Sequence, residues 1–236
     1  MKNATVYQSK LKKFLPGLKR RPIAADRSEP LEPMDHLIVG ILRRNASRHQ
    51  ALAALRALRE EFVDFNEMRV APAKDIAELL GKNMPLARLK AEVLTQALNR
   101  VLDQTSELGL GKLTELGKRE LHAYLREKFA LDSYTEAYMT LMVFGGHAVP
   151  VDERLLEKLK LEDLVHSEST VDVARFALEK VVSEKNAVEV YEAMAAYAEE
   201  PSKVKPSPKA KAAPVQTAAP SKSTPAASKG AKKKST

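Results

Sequence analysis

Leu86, Leu89, Val93, Leu94, Leu98 and Leu102 recur three and four residues apart through MPLARLKAEVLTQALNRVLDQTSELG. That spacing lays one apolar stripe along an α-helix. The same period appears in Leu37, Ile38, Ile41 and Leu42 after the Pro30–Pro33 entry, and in Leu52, Leu55, Leu58 and Phe62 within SRHQALAALRALREEF. PAKDIAELLG closes on Gly81, a residue suited to stopping a helix. Further helices are expected over 113–128, 134–144, 152–160 and 169–199, the last broken around Ser183–Asn186. No stretch alternates with a period of two. The pattern predicts an all-α domain whose helices are joined by short loops.

Composition alters this picture mainly at the two ends. Residues 201–236 hold nine Lys and no acid, and residues 1–28 hold eight Lys or Arg against one Asp. The span 29–200 carries 22 basic and 30 acidic residues, so the helical domain is acidic inside a chain of net charge +8. We therefore expect a basic N-terminal arm (1–28), a helical domain (29–200) and a Lys/Ala/Pro/Ser-rich tail (201–236). The tail has too little large apolar surface to offset the entropy of ordering, so it is expected to be disordered. Its KPSPKAKA pattern is similar to linker-histone tails and would serve phosphate neutralisation, or simply solubility.

The absence of cysteine excludes disulfides, thiolate nucleophiles and cysteine-held zinc or iron–sulfur centres. No run approaches the ~20 apolar residues that span a membrane. The N-terminus has no secretory h-region, although its basic, Ser-containing character also suits an organelle transit peptide. A soluble protein of the cytoplasm, associated with the nucleoid, or of the nucleus is expected. Five histidines show no metal-ligand spacing, and no cofactor is expected.

Three segments, PMDHLIVGILRRNAS (33–47), VDFNEMR (63–69) and GGHAVPVDERLLEKL (145–159), occur in an order that resembles the endonuclease III group of the helix-hairpin-helix DNA glycosylases. The resemblance spans roughly 30–199. It implies a two-lobed helical fold, duplex DNA as partner and a monomer. In that family a Val-Asp opening the helix after the hairpin supplies the catalytic carboxylate, and Asp152 falls there. Such a group would stabilise positive charge developing on the deoxyribose of a flipped nucleotide, or orient water. An Asp at a helix head is equally well suited to be an N-cap. Asn45 falls where the family places a polar side chain that enters the gap left by the flipped base; an ordinary polar helix end would look the same. Arg43, Arg44 and Arg48 flank it and could meet phosphates.

The hairpin departs from the family. Phe129-Ala130-Leu131-Asp132-Ser133 has no glycine where the family's backbone approaches a phosphate. Ser133 and Glu136 form a capping-box pattern, which predicts a helix from Tyr134. The Schiff-base lysine of the bifunctional members lies eighteen residues before the Asp, and here that position is Tyr134. Ser133 and Tyr134 therefore mark the candidate hairpin contact. Two readings follow: a monofunctional glycosylase of base-excision repair, without lyase activity, or a non-catalytic DNA-binding protein on the same fold. His147, near Asp152 in sequence, is a further candidate, or an incidental loop histidine.

Overall fold

The computed structural model describes residues 4–19 and 30–200; the tail, and with it the expected disorder of 201–236, lies outside them. Among the described residues there are eleven α-helices and no strand: α1 (Ala4–Lys19), α2 (Pro33–Arg43), α3 (Arg48–Glu61), α4 (Phe65–Val70), α5 (Ala73–Leu80), α6 (Ala87–Thr105), α7 (Lys118–Ala123), α8 (Ser133–Met142), α9 (Glu153–Leu161), α10 (Val171–Glu179) and α11 (Ala187–Glu199). None of them is long and apolar enough to cross a membrane.

The helices form two lobes. In one, α2 packs on α3, α6 and α8, while α6 also carries α4 and α5. Gly40 permits the α2–α8 approach, since a Cβ there would lie 2.8 Å from the Tyr138 ring. In the other lobe, α1 and α9 pack on α11 and α10 packs on α1 and α9, while α11 also touches α8. Helix α1 is new relative to the sequence pattern. Its lysines read as a basic arm, but Leu11, Leu15 and Leu18 lie on one face and are buried, and Phe14 meets Tyr197 edge-on at 5.3 Å. Charge density along this segment masked a regular apolar spacing.

Several boundaries shift for local reasons. Helix α6 begins only at Ala87, because Leu86 sits in the left-handed region (φ 56°). Leu86 and Leu89 are thus 52% and 38% exposed instead of part of the buried stripe. The same helix ends at a left-handed Ser106. The single helix expected over 113–128 divides at Leu116-Gly117 into a 3-10 turn (Gly111–Glu115) and α7, which then widens into a π turn over Tyr124–Lys128. The break expected near 183–186 is there, as a 3-10 turn between α10 and α11. Helix α8 begins at Ser133, one residue early, because Asp132 and not Ser133 is its cap.

Candidate functional site

The candidate site is a joint between the α2–α3 turn and the head of α9. Asn45 turns the chain between α2 and α3 in the left-handed conformation (φ 58°), which Asn tolerates better than most residues. Asp152 caps α9: its Oδ1 accepts the Leu155 N–H at 2.8 Å, and its Oδ2 accepts the Asn45 N–H at 2.9 Å. The residue is 5% exposed. Both oxygens therefore face fixed N–H donors, one from each side of the joint, and the helix dipole adds to the stabilisation of the charge.

The flanking side chains complete the clasp. Asn45 donates from Nδ2 to Glu153 at 2.8 Å, and its Oδ1 accepts the Arg154 N–H at 3.2 Å. The Arg44 guanidinium grips Glu153 and lies 3.7 Å from Asp132. Burial pushes the Glu153 carboxyl up, but its hydrogen bonds and attraction to Arg44 outweigh this and hold it below the usual range. Arg154 donates to the Ala46 carbonyl at 3.1 Å. Beneath the turn, Lys90 Nζ donates to Leu42 O at 2.7 Å; burial brings the amine down to about 8, against the opposing pull of Asp152.

The other candidates lie elsewhere. Arg43, expected on the DNA side, is 3% exposed; it chelates Glu192 at 3.0 and 2.8 Å and lies 4.7 Å from the Tyr191 ring centre. Arg48 reaches the same carboxylate at 3.1 Å and is partly exposed. Tyr134 is buried, its hydroxyl 2.9 Å from that of Tyr191, and desolvation holds its phenol well above the ordinary range. Ser133 donates to Asp172 at 2.6 Å. His147 bonds to the Val182 carbonyl at 2.9 Å. At the head of α8, the Asp132 carboxylate accepts the N–H groups of Tyr134 and Thr135 at 2.9 and 3.1 Å, filling the donor set that a phosphate would use. Asn45, Arg44 and Asp152 are thus brought together, while Arg43 and Tyr134 are interior residues.

Leu86 is a residue the periodicity misassigned. It stands exposed in a strained backbone at the head of α6, and its loop is tied to α3 by the Gln50 side chain donating to Asn83 O at 2.9 Å. The proline before it, Pro85, was the available signal, since it marks a turn in place of a continuing helix.

No family model matches the sequence, and no curated protein is similar to it at a significant level. Solved structures are similar in fold. An endonuclease III trapped as a covalent intermediate with DNA superposes with a TM-score of 0.63 at 15% identity, covering 80% of this chain and 85% of that one. The Clostridium acetobutylicum 8-oxoguanine glycosylase/lyase bound to duplex DNA gives 0.58 at 17%, covering 80% and 69%. A thermostable thymine-DNA glycosylase gives 0.53 at 19%, covering 86% and 90%. The chain has the fold of the helix-hairpin-helix DNA glycosylases.

Proposed function

We propose that this chain is a monofunctional DNA glycosylase of base-excision repair, acting as a monomer on duplex DNA where that DNA is kept, in the nucleoid or the nucleus. The observation that carries the proposal is the Asp152–Asn45 clasp, which holds an almost fully buried carboxylate beside the amide of a half-buried turn. A carboxylate held by two backbone N–H groups is oriented without further rearrangement. It could stabilise the cationic sugar that forms as the glycosidic bond breaks, or align water against it. Opening the Asn45 contacts with both Glu153 and the Arg154 N–H would release the side-chain amide toward an orphaned base. Leu86, exposed and stiff, suits a wedge between base pairs. Tyr134, a buried phenol, supplies no amine for a Schiff base, so strand cleavage is not expected.

The test is base release from duplexes carrying uracil, oxidised pyrimidine, 8-oxoguanine or alkylated purine, run with wild type and Asp152→Asn, with borohydride trapping in parallel. Base release that depends on Asp152, with no trapped adduct, supports the proposal. No release from any duplex, or release indifferent to Asp152, overturns it.

A second reading is favoured by Asp132, whose carboxylate already occupies the α8 N–H groups. On that reading the fold binds DNA without excising bases, and the basic tail supplies most of the affinity. Deleting 201–236 would then abolish most duplex binding and flatten its salt dependence. Unchanged affinity in the deletion would defeat this reading.

A further inference from the structure

Away from Asp152, a pocket of about 310 Å³ opens between α7, the end of α8 and the 3-10 turn before α7. His147, weighed above as a site candidate, lines it, whereas Asp152, Asn45, Arg43, Arg44, Arg48, Ser133 and Tyr134 do not. Along α8, Thr140 in its wall is roughly 10 Å from Ser133 at 1.5 Å per residue. The wall is a built one. Gly146 donates its N–H to Thr140 O at 2.8 Å, and a Cβ at that glycine would lie 2.7 Å from Thr140 Cγ2.

Two imidazoles share this pocket, and the partners of each fix its tautomer. His122 Nδ1 is bonded to Glu136, a fully buried carboxylate whose other oxygen takes the Arg175 guanidinium at 3.1 Å. Such a carboxylate only accepts, so His122 carries a hydrogen on Nδ1, and its neutral form keeps the lone pair on Nε2. His147 Nε2 lies 2.9 Å from the Val182 carbonyl, which also only accepts, so its lone pair is on Nδ1. With both rings neutral, the pocket offers two acceptor nitrogens. Its other walls include Leu116, Val143 and Phe144, a surface for a flat ring. At the rim stands Lys118, 76% exposed and paired at the surface with Glu184 at 3.2 Å.

We propose that this pocket binds a mononucleotide, with the base against Phe144, its exocyclic amino group donating to the histidine lone pairs and its phosphate on Lys118. The volume lies at the lower end of small-molecule sites, about 300–1,000 Å³, as a single nucleotide requires. The acceptors favour bases that carry an amino group, so adenine and cytosine should bind in preference to thymine. The nucleotide could be free or belong to a DNA strand, and the chemistry of recognition is the same for both.

The test is calorimetric titration of the full chain with AMP, CMP, TMP and adenosine. Saturable binding of AMP and CMP, at least about tenfold tighter than TMP, is expected, because TMP leaves the acceptors under-satisfied. Lys118→Ala, a surface change that leaves the fold intact, should weaken AMP about three- to tenfold and leave adenosine unchanged. Val143→Trp should abolish binding by filling the pocket. To separate the sources, a duplex with one unpaired adenine is measured with wild type and Val143→Trp. Loss of duplex affinity in that variant assigns the site to a strand nucleotide, and unchanged duplex affinity beside lost AMP binding assigns it to a free one. No binding of any mononucleotide at millimolar concentration, or AMP binding that survives Val143→Trp, overturns the proposal. Base release and its Asp152→Asn control are read separately, so failure of either proposal leaves the other standing.

Discussion

Asp152 Oδ2 accepts the backbone N–H of Asn45 at 2.9 Å across the joint between the α2–α3 turn and α9. The two residues are far apart in sequence, yet each fixes the other: the left-handed turn presents the N–H, and the carboxylate keeps the turn in place. The candidate catalytic carboxylate is therefore also a structural fastener, and substitutions there have two separable effects.

Asp152→Asn separates them. Asn is a good N-cap, so the bond to Leu155 N–H survives. The amide NH2 must then face the Asn45 N–H, donor against donor, costing about 1–2 kcal/mol. Base release is expected to fall on the order of a hundredfold or more, the scale of a lost charged group at the reacting centre. Thermal melting beside single-turnover base release checks both, and a variant as active as wild type refutes a catalytic Asp152.

Arg43 and Arg44 are neighbours with opposite expectations. Arg43→Met leaves the half-buried Glu192 with only the partly exposed Arg48, and loss of about 3 kcal/mol is expected, at the low end for breaking a buried pair. Duplex affinity per folded molecule should not change. Arg44, about one-third exposed and paired to Glu153, should cost under about 1 kcal/mol as Ala. Its loss should instead lower duplex affinity and reduce the salt slope by about one. Chemical denaturation and anisotropy titrations at several salt concentrations distinguish the two.

The contrast shows what was legible beforehand. Periodicity placed Leu37, Leu55 and Leu98 in the core correctly, and an Asp after Pro-Val marked the head of α9. Arg43 and Arg44 are indistinguishable in a string, because the direction of a side chain at a helix end depends on a partner 149 residues away, Glu192. Tyr134 gave no sign of its hydroxyl contact with Tyr191. For α1 the apolar spacing was present but outweighed by charge, and for Leu86 the stripe continued one residue too far because φ is not written in hydrophobicity.

Asp132→Ser should strengthen DNA binding. Serine still caps α8, so the stability cost is under about 1 kcal/mol. The change removes a negative charge from N–H groups that could otherwise meet a phosphate, and frees Arg44 from its 3.7 Å contact. A roughly three- to tenfold gain in duplex affinity at low salt, fading as salt rises, is expected. Affinity that is unchanged at low salt would mean that the head of α8 does not face the duplex.

Lys90 gives a prediction in pH. Its amine is brought down to about 8 by burial, from an ordinary 10.5. Between those values the unfolded chain holds a proton that the folded chain has released, so folding stability gains from this group as pH rises from about 8 to 10.5. Below about 8 both states are protonated and the buried charge exerts its full cost, roughly 3 kcal/mol at most. Lys90→Met removes that charge and also the bond to Leu42 O, which leaves a helix-end carbonyl unpaired at a cost of about 1–3 kcal/mol. The two nearly cancel at pH 7. As pH rises toward 10 the wild type gains and the variant does not, so the wild type should become the more stable of the two by a margin that widens with pH. Tyrosines that titrate in the same range are common to both proteins and drop out of the difference. Urea denaturation of the pair across that range measures the margin, and a constant difference would place the Lys90 amine at its ordinary value.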